Sequence, residues 1–255
     1  MATIDLILPL TTFVTYMGGN SGQFVVELLR CHPHFAALDQ GQFTAEGGYV
    51  RPVWMPWTNP QYAQRLDNHD ITDPAIGHFE WVPTDETKAW LRAKTEEWFM
   101  LTWKKQGRNM EDLAAAIRSG NGMVIPTHLS PKFLYWVMPE SRKILVIDRN
   151  TYFGVRADWA KNAHKHPRPQ HDLMRYLMAR VCSNRAWNSN QYPDHLSTVL
   201  VRSDLICDDR TTHQAALLDI MLLHGLEVDQ ATLDRIWNMV TKYQAAQRRL
   251  GFISG

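Results

Sequence analysis

A glycine-rich stretch near the start of the chain has the residue types of an anion-binding turn. The sequence TYMGGNSGQFVVELL places small residues between a short apolar segment and apolar residues at helical spacing. Glycine permits positive φ and close approach of a ligand to the backbone, and a helix N-terminus presents free N–H groups and partial positive charge. The stretch therefore predicts a phosphate or sulfate site, with an ordinary strand-to-helix turn as the alternative. The candidate anion-binding residues are Gly18, Gly19, Asn20, Ser21, Gly22, Gln23 and Phe24.

The same stretch departs from the phosphate loop of nucleotide kinases. That loop needs the pattern G-x-x-x-x-G-K-[ST], in which lysine contacts the phosphates and a hydroxyl contacts magnesium. Here Gly22 is followed by Gln23 and Phe24, so both requirements fail. The segment ILVID, which ends in Asp148, resembles the strand and aspartate that help to hold magnesium in such enzymes. Because that pattern is short and common in α/β proteins, it supports a phosphotransferase only weakly.

Strand and helix patterns alternate along the chain. Short apolar segments predict four strands: residues 13–16, 123–126 and 144–147 and the segment STVLVRSDL. Helical spacing predicts helices after the glycine-rich stretch, over residues 86–105, over NMEDLAAAIRSGNG, and over residues 210–224 and 230–250. Strands separated by helices imply crossover connections, so we expect an α/β fold with a mostly parallel sheet. Residues 36–84 show no clean period, which is typical of a functional segment.

Composition limits the classes of function. A chain of 255 residues that is 45% hydrophobic can bury the core of one α/β domain. Its net charge of +1 gives no field that favours nucleic acid or a membrane surface. Three scattered cysteines favour a reducing compartment, and neither a signal peptide nor an apolar run of about 20 residues is visible. We therefore expect a cytoplasmic protein without nucleic-acid or membrane partners, whose oligomeric state the sequence does not indicate.

Four stretches, taken in order, resemble the sulfotransferases that use 3′-phosphoadenylyl sulfate (PAPS). They are TYMGGNSGQFVVELL followed by RCHPHF, IPTHLSPKFL, KILVIDRNTYFGVRADW, and STVLVRSDLICDDRTTHQAALLDIMLLHGLEV. The resemblance covers most of the chain outside residues 36–120. It implies a three-layer P-loop-type fold, with a central, mostly parallel sheet flanked by helices. Residues 1–255 would form a single sulfotransferase-like domain in which residues 36–120 are an acceptor-side insertion; the compact size and altered loop suit a bacterial or viral source.

The resemblance also implies roles for particular residues. The glycine-rich loop would hold the 5′-phosphosulfate of PAPS, and Asn20 would contact the reacting group. His128 would be the base that takes the proton of the acceptor hydroxyl, a task that suits imidazole. Arg149 would bind the 3′-phosphate, and Arg248 and Arg249 in RRLGFISG would cover it. The product would be 3′-phosphoadenosine 5′-phosphate (PAP), the acceptor would be a small-molecule or glycan hydroxyl held by the aromatic-rich residues 43–103, and no metal is expected.

Two positions depart from the sulfotransferase pattern. Asn20 stands where the family usually has lysine, and Ala157 falls near the position of the family's serine for the 3′-phosphate. Lys132 or Arg51 is a candidate to supply the missing charge. Without one, we expect slow turnover or none, because one lost donor costs about 10²–10³ in rate.

Other interpretations stay open at this point. The chain can be a P-loop phosphotransferase, or a non-catalytic nucleotide binder that kept the fold. His128 can instead cap a turn, and Arg149 can form a surface ion pair. The segments CHPHF and HKH contain residue types that bind zinc but lack the paired spacing of a zinc site.

Overall fold

The computed structural model describes ten segments of the chain: residues 3–16, 22–35, 42–43, 49–50, 85–105, 109–127, 131–147, 197–201, 218–222 and 224–249. The helices are α1 (Thr3–Ile7), α2 (Gly22–Arg30), α3 (Asp85–Lys105), α4 (Met110–Ser119), α5 (Pro131–Val137) and α6 (Gln230–Arg249), with 3₁₀ turns at Leu8–Leu10 and Pro33–Phe35. Residues 218–222 are also helical. The strands are β1 (Thr11–Tyr16), β2 (Gln42–Phe43), β3 (Tyr49–Val50), β4 (Met123–Thr127), β5 (Arg142–Ile147) and β6 (Ser197–Val201).

Four of the strands form one sheet in which every neighbouring pair is parallel. The order in space is β4-β1-β5-β6, so β1 lies between the two strands that follow it in this sheet. This arrangement confirms the prediction of an α/β fold with a parallel sheet. The strands β2 and β3 form a separate antiparallel pair within a segment whose sequence showed no period.

The side chains of β1 alternate between two apolar layers, as the period of a strand requires. Phe13 packs in a cluster with residues of α1, α3, α4 and α5. Val14 and Tyr16 pack in a second cluster with α2, the helical residues 218–222 and α6. Helices therefore cover both faces of the sheet, which explains why β1 is buried at all six positions and why β5 is apolar at its centre.

Helix ends lie close to the sequence predictions because local capping fixes them. At the start of α4, the Asn109 side chain accepts a hydrogen bond from the Asp112 backbone N–H at 2.9 Å, and the Asp112 carboxylate accepts one from the Asn109 N–H at 3.0 Å. This reciprocal pair is a capping box. Gly120 ends the helix with φ of 66°, in the left-handed region that favours glycine. Asp229 likewise accepts from the Thr232 N–H at 2.7 Å where α6 begins.

Helices α1 and α5 were not predicted, and tertiary contacts hold both. Arg92 of α3 donates to the Asp5 carboxylate of α1 at 2.8 Å. Its other terminal nitrogen donates to the Val137 carbonyl at the end of α5 at 3.0 Å and to Glu140 at 2.9 Å. One guanidinium therefore joins three elements on the same face of the sheet. No helix among the described residues is long and apolar enough to span a bilayer.

Two histidines hold the segment before α6: His224 within it contacts the start of β1, and His32, just past the end of α2, contacts its backbone. His224 Nδ1 lies 2.8 Å from the Ile220 carbonyl, which can only accept, so Nδ1 carries the proton. Its Nε2 is then free to accept from the Thr12 hydroxyl at 2.6 Å, at the start of β1. By the same reasoning His32 Nε2 donates to the Glu227 carbonyl at 2.9 Å. The contact between His224 and Thr12 uses the neutral form of the imidazole.

The His224 contact predicts that acid weakens the fold. Burial lowers the pKa of His224 from 6.5 to about 4, against the opposing effect of its hydrogen bond to Ile220. Between those pH values the unfolded chain binds a proton that the folded chain does not, so stability is complete above pH 6.5 and falls as the pH decreases toward 4. We expect a loss of about 3 kcal/mol from this residue by pH 4. Urea denaturation of the wild type and His224→Gln across that range measures it.

Plots of unfolding free energy against pH should differ in slope between the wild type and His224→Gln from about pH 4 to pH 6.5. Above pH 6.5 the two plots should be parallel. The pKa of Asp229 is lowered as well, mainly by its hydrogen bonds from Thr232. Its effect on the free energy of unfolding is confined to pH values below its ordinary pKa of 3.8. The two groups are therefore separable by pH. An identical slope in His224→Gln would show that another group is responsible.

Candidate functional site

The carboxyl ends of β4, β1 and β5 lie side by side at one edge of the sheet. Thr15 of β1 pairs with Thr127, the last residue of β4, and Tyr16, the last residue of β1, pairs with Val146, one residue before the end of β5. The three strands thus end nearly level. β4 lies on the outer side of β1 and β6 on the outer side of β5, so the strand order reverses between β1 and β5. Ligands of open parallel sheets bind beyond the carboxyl ends of the strands at such a switch point.

The predicted site residues follow these three strand ends in the chain. Gly18, Gly19, Asn20 and Ser21 belong to the connection between β1 and α2, His128 follows directly on β4, and Arg149 follows two residues after β5. All six lie outside the described residues. The structure therefore describes the strand ends that carry them and not their own arrangement.

The helix that follows the glycine-rich loop begins at Gly22, directly against the ring of Tyr16. A Cβ at position 22 would overlap ring atoms of Tyr16, so glycine is required for this close approach. Tyr16 and Gly22 are the last residue of β1 and the first residue of α2. Their contact holds the two ends of the connecting loop together and points the first turn of α2 at the carboxyl edge.

The first turn of α2 offers main-chain donors and an aromatic support. Its leading N–H groups have no acceptor within the helix, as at any helix N-terminus, and they carry partial positive charge. The backbones of Gly22, Gln23 and Phe24 all belong to this turn. The Phe24 side chain is 1% exposed and stacks on Tyr243 of α6, with ring centroids 3.8 Å apart and planes 10° apart. Phe24 can therefore serve an anion through its amide, while its ring packs in the core.

The end of α6 lies on the same side of the sheet as α2. Arg248 and Arg249, the two arginines predicted to cover the 3′-phosphate, are the last residues of α6. They follow Tyr243, whose ring contacts the first turn of α2. The backbone of α6 thus leads both arginines past the start of α2. The contact of Tyr243 with Phe24 could not be predicted, because 219 positions of chain separate the two residues.

Among the described residues, Cys31 and His34 lie beyond the end of α2, away from its first turn. Burial raises the pKa of Cys31 to about 11, so its thiol is protonated at neutral pH and is a poor nucleophile. Burial, aided by His32 and Arg142, lowers the pKa of His34. Among the described residues no group of three histidine, cysteine or acidic side chains is placed to hold a metal ion.

No protein-family model matches the chain, and a search of curated proteins found no significant relative.

The Tyr16–Gly22 contact gives a prediction about stability. Gly22→Ala should destabilise the fold by about 1–3 kcal/mol, because the new methyl group overlaps the Tyr16 ring in a packed core. In a Tyr16→Leu background the same substitution should cost clearly less, since the two residues are in contact and their effects are coupled. Denaturant unfolding of the four proteins of this cycle measures the coupling.

Gly120→Ala is the matched control. An added Cβ there meets nothing within 4 Å, but φ of 66° is strained for alanine. Gly120→Ala should therefore lower the free energy of unfolding by the same amount whether position 16 holds tyrosine or leucine. If Gly22→Ala behaves like this control, the ring of Tyr16 is not what requires glycine at position 22.

Proposed function

We propose that the chain is a sulfotransferase-like protein with a three-layer P-loop-type fold, which binds PAPS and transfers its sulfuryl group to a hydroxyl. One observation carries the proposal. The glycine-rich loop, His128 and Arg149 follow the ends of three adjacent parallel strands, at the point where the strand order reverses. The sheet with helices on both faces is compatible with the P-loop class.

The proposed reaction divides between these groups. The acceptor oxygen attacks sulfur, the bond from sulfur to the 5′-phosphate oxygen breaks, and PAP leaves with the electron pair of that bond. His128 takes the proton of the attacking hydroxyl. The amides of the loop and of the first turn of α2 hold the 5′-phosphate, on which negative charge grows. Arg149 holds the 3′-phosphate through a forked, charge-assisted contact.

A P-loop phosphotransferase is the weaker candidate. Its magnesium site needs a hydroxyl side chain near the start of the helix. In this chain Gln23 and Phe24 occupy the positions after Gly22, and the Phe24 ring is buried against Tyr243. Neither position offers a hydroxyl oxygen to a metal ion.

A non-catalytic nucleotide binder has one residue in its favour. Asn20 stands where a lysine would stabilise charge in the transition state, and asparagine carries none. Lys132 is a candidate replacement, because it lies in the first turn of α5, which follows the carboxyl end of β4. Arg51, the other candidate, lies outside the described residues.

Nucleotide binding tests the proposed class. The protein should bind PAP at least about tenfold more tightly than ATP, a difference of about 1.4 kcal/mol. Magnesium should not change the affinity for PAP, because the site holds phosphate through amides and arginines. Calorimetric titration with each nucleotide, with and without magnesium, measures both. Binding of ATP only, dependent on magnesium, would assign the protein to the phosphotransferases.

A histidine substitution then separates an enzyme from a binder. His128→Ala should lower the rate of sulfuryl transfer by about 10²–10⁴-fold, the usual contribution of a general base. Its affinity for PAP should stay within a few-fold of the wild type, since the imidazole contacts the acceptor and not the nucleotide. His164→Ala, in the basic segment KNAHKHPRPQH, is the matched control and should keep full activity. Equal transfer by His128→Ala would remove this residue from catalysis.

A further inference from the structure

Helices α2 and α6 are held together by two contacts, one near each end of α2. Near the start of α6, Arg235 donates from Nε to the carbonyl of Cys31, just past the end of α2, at 3.1 Å. Further along α6, Tyr243 stacks on Phe24 in the first turn of α2, at 3.8 Å between ring centroids. The two helices therefore run in opposite directions, and α6 proceeds toward the carboxyl edge of the sheet.

Helix geometry fixes where the last turn of α6 lies. Phe24 to Cys31 is seven residues of chain, or about 10.5 Å, and Arg235 to Tyr243 is eight residues of α6, or about 12 Å. The two contacts thus span nearly equal lengths and fix the relative position of the helices along their axes. Gly22 begins α2 about 3 Å before Phe24, whereas Arg249 lies about 9 Å beyond Tyr243. The final turn of α6 therefore extends past the start of α2.

We propose that Tyr243 is a positioning residue for the nucleotide: its stack on Phe24 holds the last turn of α6 beside the first turn of α2, whose amides the proposed function assigns to the 5′-phosphate. The inference rests on the proposed function and adds a residue to its site. Both rings are buried, Phe24 at 1% exposure and Tyr243 at 7%, and the neighbouring Gln244 is buried at 4%. Up to Gln244 the helix packs against the protein, and the contact at Tyr243 is the nearest described ring contact to its end.

The physical effect is a reduction of fraying. The last turn of a helix opens at almost no cost in free energy unless it is anchored. A turn anchored by the aromatic stack presents Arg248 and Arg249 from a fixed backbone, so a phosphate that they bind does not have to order the turn first. In the proposed site the amides of α2 bind the 5′-phosphate, and the arginines of α6 bind the 3′-phosphate. Loss of the stack should therefore weaken only the binding of the 3′-phosphate.

The test compares two nucleotides and three proteins by calorimetric titration. PAP carries both a 3′- and a 5′-phosphate, while AMP carries only the 5′-phosphate. Tyr243→Phe keeps the ring and should retain the wild-type preference for PAP over AMP. Tyr243→Leu removes the ring and should lower the affinity for PAP about tenfold or more, the order of one charge-assisted contact. The affinity of this variant for AMP should stay within about threefold of the wild type. If Tyr243 only stabilised the fold, Tyr243→Leu would weaken the binding of PAP and AMP equally or leave both unchanged, and the proposal would fail.

Hydrogen exchange of the wild type provides a measurement that no folding defect can affect. PAP should protect the amides of residues 244–249, and AMP should leave them unchanged. If the wild type binds neither nucleotide, the proposed function fails and this inference with it. If the wild type prefers PAP but Tyr243→Leu keeps that preference, or if PAP leaves residues 244–249 unprotected, the role of Tyr243 fails and the proposed function stands.

Discussion

The position of β1 between two parallel partners is the constraint on which the rest of the structure depends. Five of its residues, 11–15, pair with β4 and five, 12–16, pair with β5, and all six residues of the strand are buried. Such a strand needs a helical layer on each face, because neither face can be left to water. It also delivers its chain to the centre of the carboxyl edge, between the ends of its neighbours. The glycine-rich connection therefore starts where a ligand can be reached from three strands at once.

Helix α2 connects this edge to the rest of the core through three contacts. Gly22 packs on Tyr16 of β1, Phe24 stacks on Tyr243 of α6, and the carbonyl of Cys31 accepts from Arg235. Together they fix the direction of the first turn, so its N–H groups point at one place before any ligand arrives. Donors fixed in this way are more effective than mobile ones, since no reorganisation is needed when charge develops. Fixed donors in the first turn of α2 matter more because the loop before it contains no lysine.

Local features of the fold could be predicted from the sequence because local interactions determine them. The start of α4 at Asn109 and its end at Gly120 follow from capping, and the strands β1, β4 and β5 follow from short apolar runs. The first two residues of β1 were missed because threonine is polar. Both are nevertheless buried, since Thr11 donates to the Ile7 carbonyl at 2.8 Å and Thr12 contacts His224.

Nonlocal features could not be predicted. Helix α1 has five residues, too few to show a helical period, and the ion pair between Asp5 and Arg92 holds it across 87 positions of chain. The strand order and the contact of Tyr243 with Phe24 likewise join residues far apart in sequence. For the candidate site, the glycine-rich stretch and the helical spacing from Phe24 predicted a strand-to-helix turn. The sequence does not show that the helix starts at Gly22 or that Tyr16 and Tyr243 pack against its first turn.

If the proposed function holds, Asn20 in place of the family's lysine should affect rate more than affinity. Amides at the start of α2 would bind a phosphate in the proposed substrate and product alike, and uniform binding of this kind lowers a dissociation constant without accelerating the reaction. A lysine beside the transferring group differs, because its attraction grows as negative charge builds on the leaving oxygen. Removing only that charge leaves the proposed site well suited to PAP. In the proposed protein, the acceleration of sulfuryl transfer then depends on whether a second cation, such as Lys132 at the start of α5, reaches the same oxygen.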